Sequence, residues 1–335
     1  MARRRLTQRQ QERIRKIQEQ RRRRLAQQAE KALDQADARP RQGLVITRHG
    51  RNLMVADAEG GLHYCLWRQN LGHIVCGDRV VWQATGDKRG IVTALLERDS
   101  VLARPDYSGR EKPLAANISQ LVIVLAPRPE PSEYLLDQYL VTAETIGVNA
   151  LIAFNKMDLP DETGKKALNQ RFSLYEAIGY PLVHISAKFE HGLGPLVERL
   201  KGETSILVGQ SGVGKSSLIK ALLPDQDIQI GRLSNATGLG RHTTSATTCY
   251  TLPTGGRLID SPGVRSFRLV ELSLDQLEQG FREFRPFLGH CKFSDCRHRE
   301  EPGCALRAAV EAGKIDQRRL DNFLHLAQEQ GKSGF

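Results

Sequence analysis

What this chain lacks narrows its class. No run of about 18 apolar residues is present to cross a bilayer. The N-terminus is rich in Arg and Gln where a signal peptide would be apolar. A soluble, cytoplasmic protein without membrane contact is therefore expected. Cysteine is scarce, at six in 335 residues, too few for a disulfide scaffold of this length. Three of them (Cys291, Cys296, Cys304) crowd into one short segment, which suggests metal ligation. Cys65, Cys76 and Cys249 are scattered and read as packing residues. An excess of charge of one sign is also lacking outside the N-terminus: the net charge is +11, and residues 1–42 alone hold 14 Lys/Arg against 5 Asp/Glu. A concentrated basic arm suits a polyphosphate partner such as RNA, because neutralising phosphates releases their counterions.

Five segments follow from composition and period. Residues 1–42 form a basic extension, helix-prone and mobile, whose Leu6, Ile14, Ile17, Leu25 and Leu33 are too sparse for a packed face. Residues 43–100 change to short alternating runs (Leu44–Thr47, Leu53–Ala56, His63–Leu66, Arg79–Gln83, Gly90–Leu95) broken by Gly60-Gly61 and Gly86-Asp87. Five short strands suggest a small β-barrel, and the OB-fold is the five-stranded barrel that commonly binds oligonucleotides. Residues 101–113, with Pro105, Gly109 and Pro113, read as a linker. Residues 114–272 alternate strands with helices, which implies a largely parallel sheet with ligand loops at the carboxyl strand ends. Residues 273–335 are mostly helical and carry the cysteine cluster.

The central segment holds two nucleotide motifs. Gly209, Gln210, Ser211, Gly212, Val213, Gly214, Lys215 and Ser216 fit the phosphate-binding loop G-x-x-x-x-G-K-[ST]. Its glycines let backbone N–H groups wrap phosphates, Lys215 supplies charge and Ser216 a Mg²⁺ ligand. Ile206-Leu207-Val208 supplies the strand before it and Ser217–Leu223 the helix after, whose N-terminus favours anions. Asn155-Lys156-Met157-Asp158 selects the base: a carboxylate accepts from both N1–H and the exocyclic amine of guanine, donors that adenine does not pair on that edge. Asn155 is expected to meet N7 and brace the loop, and the Lys156 stem to cover the base. Ser186-Ala187-Lys188 resembles an accessory guanine loop, in which the Ala187 N–H meets the base oxygen.

Asp260-Ser261-Pro262-Gly263 fits D-x-x-G, with Asp260 on Mg²⁺ through water and the Gly263 N–H sensing the γ-phosphate. The residue that follows is Val264, which cannot orient water as a Gln would. Slow intrinsic turnover follows unless another group takes that role. Gly238 to Ala246 looks like a switch loop. There His242 is the candidate to position the attacking water, and Thr243 or Thr244 (Thr244 in the preferred Mg²⁺ set with Ser216 and Asp260) completes the metal shell.

Cys291, Cys296, His298 and Cys304 offer three thiolates and an imidazole in one 14-residue stretch. This set suits a structural tetrahedral Zn²⁺ with no position left for water. His290 is an adjacent competitor for the imidazole ligand. Zinc here would fold a segment too short to bury its own core, and Arg285, Lys292, Arg297, Arg299 and Arg307 give it basic surface.

The barrel, the guanine motif placed ahead of the phosphate loop and D-x-x-G, the string Gly-Leu-Gly-Arg-His-Thr-Thr and the Cys₃His spacing together resemble the bacterial small-subunit-dependent GTPases, the RsgA/YjeQ family. In an ordinary Ras-like GTPase the phosphate loop comes first, so the resemblance implies a circularly permuted one. It further implies a late assembly factor that binds the 30S subunit and 16S rRNA and hydrolyses GTP to GDP faster when bound there. Nothing demands more than a monomer. Two other readings remain at this point: a GTP-gated RNA-binding switch or chaperone with incidental turnover, and a permuted GTPase of large-subunit assembly.

Overall fold

Alternation in the first strands closes them into a barrel in the computed structural model, which describes residues 39–50, 52–105, 111–189, 192–225, 247–261 and 272–333. The basic arm up to residue 38 lies outside them. Two compact units are present, one ending at Glu97 and one starting at Arg98. In the first, β1 (Arg41–His49), β2 (Asn52–Ala56), β3 (Leu62–Trp67), β4 (Arg79–Gly86) and β5 (Arg89–Leu95) pair in the ring order β1-β2-β3-β5-β4-β1, with β3 and β5 parallel. This closed five-stranded barrel is the expected OB-fold. Val45, Leu53, Val55, Cys65, Ile74, Val80, Trp82 and Val92 fill it. Gly90 has to be a glycine, since a β-carbon there would fall 2.6 Å from the Trp82 ring.

The stretch expected as a linker is instead a hairpin. β6 (Val101–Pro105) pairs antiparallel with β7 (Glu111–Ala116), with Ala103 opposite Pro113. A two-stranded ribbon leaves alternate N–H groups without a neighbouring strand, so proline is tolerated at such positions. Leu102 and Ala103 of β6 and Ala115 and Ala116 of β7 are buried. The proline and glycine content was therefore a misleading signal for a linker.

The second unit is built on β8 (Gln120–Leu125), β9 (Asn149–Phe154), β10 (Leu182–His184), β11 (Thr204–Val208) and β13 (Arg257–Asp260), parallel in the order β10-β9-β8-β11-β13. β12 (Thr248–Thr251) runs antiparallel to β13. Every residue of β8 is buried, as expected for a central parallel strand covered on both faces. Val122, Val124, Leu151, Ala153 and Leu207 pack on one side against α3 (Gly194–Leu200) and α4 (Lys215–Leu222). α1 (Glu133–Thr145) also packs on β8 and β9, and Phe154 meets Phe172 of α2 (Glu162–Ala177) edge-on. Ser132 and Asp161 cap α1 and α2, accepting from Leu135 N and Gly164 N.

The C-terminal part comprises α5 (Leu274–Gln279), a 3₁₀ turn (Arg282–Phe287), the cysteine-bearing loop, α6 (Ala305–Glu311) and α7 (Gln317–Ser333). A capping box between Ser273 and Gln276 starts α5. Leu277, Phe281, Phe284, Leu306, Leu320 and Phe323 form its core together with Val141 of α1. Gly280 allows that approach, because a β-carbon there would stand 2.7 Å from Val141.

The acidic residues of α1 are spaced at 133, 137 and 144, which places them along one helical face. Arginines of the C-terminal part meet each of them. Arg318 reaches Glu133 at 3.5 Å, and both Arg282 and Arg285 reach Glu144 at 2.6 Å. Arg319 is fully buried between Asp137 and Glu283, and Asp137 also accepts from Tyr175 and Asn322. Removing one partner of a buried pair strands the other charge. Asp137→Ala is therefore expected to lower unfolding free energy by about 3 kcal/mol, the low end for a broken buried pair because Glu283 still meets Arg319. Urea denaturation measures this, and a loss below about 1 kcal/mol, typical of an exposed pair, would contradict the ranking.

Candidate functional site

The carboxyl ends of β8, β9 and β11 bring the nucleotide motifs together. β11 delivers Gly209, where the backbone turns to φ +136°, and Gly212 and Gly214 follow at +85° and +99°. These left-handed conformations favour glycine, and two of the positions are also crowded. A β-carbon would lie 2.2 Å from Val124 O at Gly209 and 2.4 Å from Asn155 Nδ2 at Gly214. Gly214 is the N-cap of α4, and Lys215 is that helix's first residue. The Lys215 ammonium lies over the loop, donating to Gly209 O at 2.7 Å and Gln210 O at 2.6 Å. Ser216 and Ser217 occupy the first turn of the helix, as the strand-loop-helix context requires.

β9 delivers Asn155, which is almost fully buried. Its Nδ2 donates to Val213 O at 2.9 Å, and its Oδ1 accepts the Ala187 N–H at 3.1 Å. One side-chain amide thus holds the guanine loop, the phosphate loop and the accessory loop to one another. The Ala187 N–H, expected to meet the base oxygen, is engaged in this brace. Lys156 adopts φ +62° and donates to Gly212 O and Arg128 O, strapping the guanine loop to its neighbours. The Met157 N–H donates to Ile185 O.

Asp158 stands beside Ser186, whose hydroxyl donates to Oδ1 at 2.7 Å, and Lys188 lies 3.9 Å from Oδ2. That hydroxyl is the main reason the carboxyl is held below the usual carboxylate range, with the two lysines adding to it. An ionised, acceptor-only group at this position is what guanine's paired donors require.

Asp260 ends β13, and Ser261 is buried with its hydroxyl 2.9 Å from that of Thr247. His242, Thr243, Thr244 and Gly263 lie outside the described residues.

The four metal-ligand candidates converge. The ligand atoms of Cys291, Cys296, His298 and Cys304 all lie within 4.8 Å of one another. His298 Nδ1 is 3.6, 3.6 and 3.3 Å from the sulfurs of Cys291, Cys296 and Cys304. Tetrahedral bonds to zinc of ordinary length separate S and N ligands by about 3.6 Å, so the set fits such an ion. Sequence reasoning missed the next layer. His298 Nε2 meets the Glu278 carboxylate at 3.1 Å and the Ala305 N–H donates to the Cys291 sulfur, contacts that orient ligands and fix the imidazole. His290, the competing imidazole, is not in the cluster.

The family model described as RsgA GTPase matches residues 95–270, which spans the hairpin and every nucleotide motif. This chain belongs to the RsgA GTPase family. It is 50% identical over 334 residues to a protein of Chromohalobacter salexigens named small ribosomal subunit biogenesis GTPase RsgA, covering 97% of this chain and 98% of that one. The protein of the same name from Pseudomonas aeruginosa strain LESB58 is 46% identical over 330 residues, 97% of each chain. Among solved structures, YjeQ from Thermotoga maritima matches with a TM-score of 0.72 at 33% identity, covering 87% of this chain and 99% of that one. YloQ, described as a circularly permuted GTPase, matches with 0.71 at 28%, covering 89% and 97%. As a member of the RsgA family the chain is a GTPase of permuted order: β9, with the guanine motif, precedes β11, with the phosphate loop, although both flank β8.

Proposed function

We propose that the chain is a GTPase of small ribosomal subunit maturation, working in the cytoplasm as a monomer that binds the 30S subunit and 16S rRNA. The observation that carries this is the Asn155 brace between guanine and phosphate loops, found in a chain that aligns along 97% of its length with proteins named for that role. Asp158 accepts from N1–H and the exocyclic amine of guanine. Asn155 carries two amide N–H donors, of which one serves Val213 O, so the second is directed to N7. Gln210 to Ser217 hold the phosphates. Ser216, Asp260 and a switch threonine, Thr244 by preference over Thr243, would hold Mg²⁺, whose chemistry there is to neutralise phosphate charge. Gly263 senses the γ-phosphate.

His242 orients the attacking water in place of the Gln that Val264 replaces. Turnover alone is then slow and depends on the ribosomal subunit to order the switch. The basic arm and the barrel supply the RNA contacts. The Cys₃His set would hold one structural Zn²⁺.

GTP hydrolysis measured alone, with 30S and with 50S subunits is expected to rise only with 30S, while ATP is not consumed. His242→Ala should abolish the stimulated rate and leave GDP affinity unchanged. Stimulation by 50S alone would move the protein to large-subunit assembly. An unaltered stimulated rate in His242→Ala would favour a binding switch with incidental turnover.

A further inference from the structure

The connection from β8 to α1 runs through Pro127, Arg128, Pro129, Glu130 and Pro131. Each proline limits its own φ to about −65° and also restricts the residue before it, so residues 126–131 have little backbone freedom. Such a segment moves as one piece. What holds one end of it therefore sets the position of the other.

The first end meets the nucleotide motifs. Leu125 O, closing β8, accepts from Asn155 N at 2.8 Å. Arg128 O accepts from the Lys156 ammonium at 3.1 Å, and the other acceptor of that ammonium is Gly212 O at 2.6 Å. A β-carbon on Gly212 would lie 3.6 Å from Pro129, so the segment and the phosphate loop are neighbours. Lys156 thus ties together the guanine loop that carries it, the phosphate loop and the proline segment.

The second end is gripped by a side chain of α2. Arg171 Nε donates to Glu133 at 2.6 Å, Nη1 to Glu130 at 3.1 Å and Nη2 to Pro131 O at 3.3 Å. Three nitrogens of one planar fork fix the direction of the segment as well as its distance. The guanine motif leads into α2, so the grip and the Lys156 strap share one frame. The Arg171 side chain is 37% exposed, and pairs exposed to this degree contribute little to stability. What Arg171 supplies is placement.

We propose that the Pro127–Pro131 segment belongs to the framework of the GTP site and that Arg171 is its positioning residue, acting through Arg128 O on the Lys156 ammonium. This rests on Asn155–Asp158 and Gly209–Ser216 being the guanine and phosphate loops.

The test is the dissociation constant of a fluorescent GDP for the full chain, for Arg171→Met, for Lys156→Met and for the double variant, each with a melting curve. Arg171→Met removes the fork while keeping a long side chain. It is expected to weaken GDP binding about 5-fold, the scale of one hydrogen bond, with little change in melting temperature. In the Lys156→Met background the strap is gone, so the same substitution should change affinity by less than about twofold. Arg318→Ala is the control, because Arg318 meets Glu133, Asp316 and Arg171 O but no residue of the segment. It should keep GDP affinity within about twofold. If Arg171→Met does not fold, Arg171→Lys takes its place with the same results expected, since an ammonium keeps the charge without the fork. Unchanged affinity in the Arg171 variant would overturn the proposal. So would an equal loss with and without Lys156, which makes Arg171 structural only, or an equal loss in Arg318→Ala, which moves the effect from the segment to the charge cluster. Failure of the unmodified chain to bind GDP would instead remove the assignment of the two loops.

Discussion

Asp158→Asn is expected to weaken GDP binding by about 100-fold or more, since two charge-assisted hydrogen bonds worth about 1.5–3 kcal/mol each are lost or weakened. The same change should improve binding of the xanthine analogue. Xanthine replaces guanine's exocyclic amine, a donor, with a carbonyl, and the Asn amide offers an N–H to that carbonyl while its oxygen still accepts from N1–H. The Ser186 hydroxyl that now meets Asp158 at 2.7 Å can donate equally to an amide oxygen, so the loop keeps its shape. Titrations of both fluorescent diphosphates separate loss of the loop from a change of preference. Equal affinities of the variant and the native chain for GDP would refute the assignment of Asp158.

Removal of the proposed metal should have the largest structural effect. Cys296 and Cys304 are members of the same core as Phe281, Phe284 and Phe323, and His298 is buried beside them at φ +61°. Without an ion, three thiols and an imidazole would be confined within 4.8 Å of one another. Cys304→Ser, or exhaustive chelation, is therefore expected to loosen residues 288–304 and the helices around them. The readouts are proteolysis within that loop, a lower melting temperature and loss of about one equivalent of zinc by elemental analysis. Glu278→Gln keeps all four ligands but weakens the carboxylate's hold on His298, and should cost about 10- to 100-fold in metal affinity. A native chain that carries no metal and melts unchanged with chelator would rule out the structural role.

The candidate site was legible because its signals are local. A phosphate loop is a run of eight residues between a strand and a helix, and its glycines are required by backbone conformation at Gly209, Gly212 and Gly214. Likewise the Cys₃His spacing lies within one short segment. The alternation of β1–β5 and the solid apolar run of β8 announced a barrel and a parallel sheet, since side-chain period follows directly from which faces are buried.

Local signals misled where composition and pairing disagreed. Pro105, Gly109 and Pro113 read as a linker, yet Ala103 and Pro113 face one another across a hairpin, because a ribbon tolerates prolines that a central strand would not. β12 went unread because it is four residues long and its partner β13 supplies the pairing.

By itself, then, the sequence determined the proposed class of chemistry: the choice of guanine assigned to Asp158, the phosphate binding assigned to Lys215 and Ser216, the permuted order of the motifs, and a thiolate-rich set that could hold a metal. Only the tertiary structure decided how these parts are held. Asn155 joins loops 58 and 32 residues away, Glu278 supports a histidine 20 residues on, and Arg319 meets an aspartate 182 residues earlier. The physical reason is that a motif's geometry is set by backbone conformations over a few residues. A buried charge or a bracing amide, by contrast, is specified by a partner that only the folded chain brings into contact.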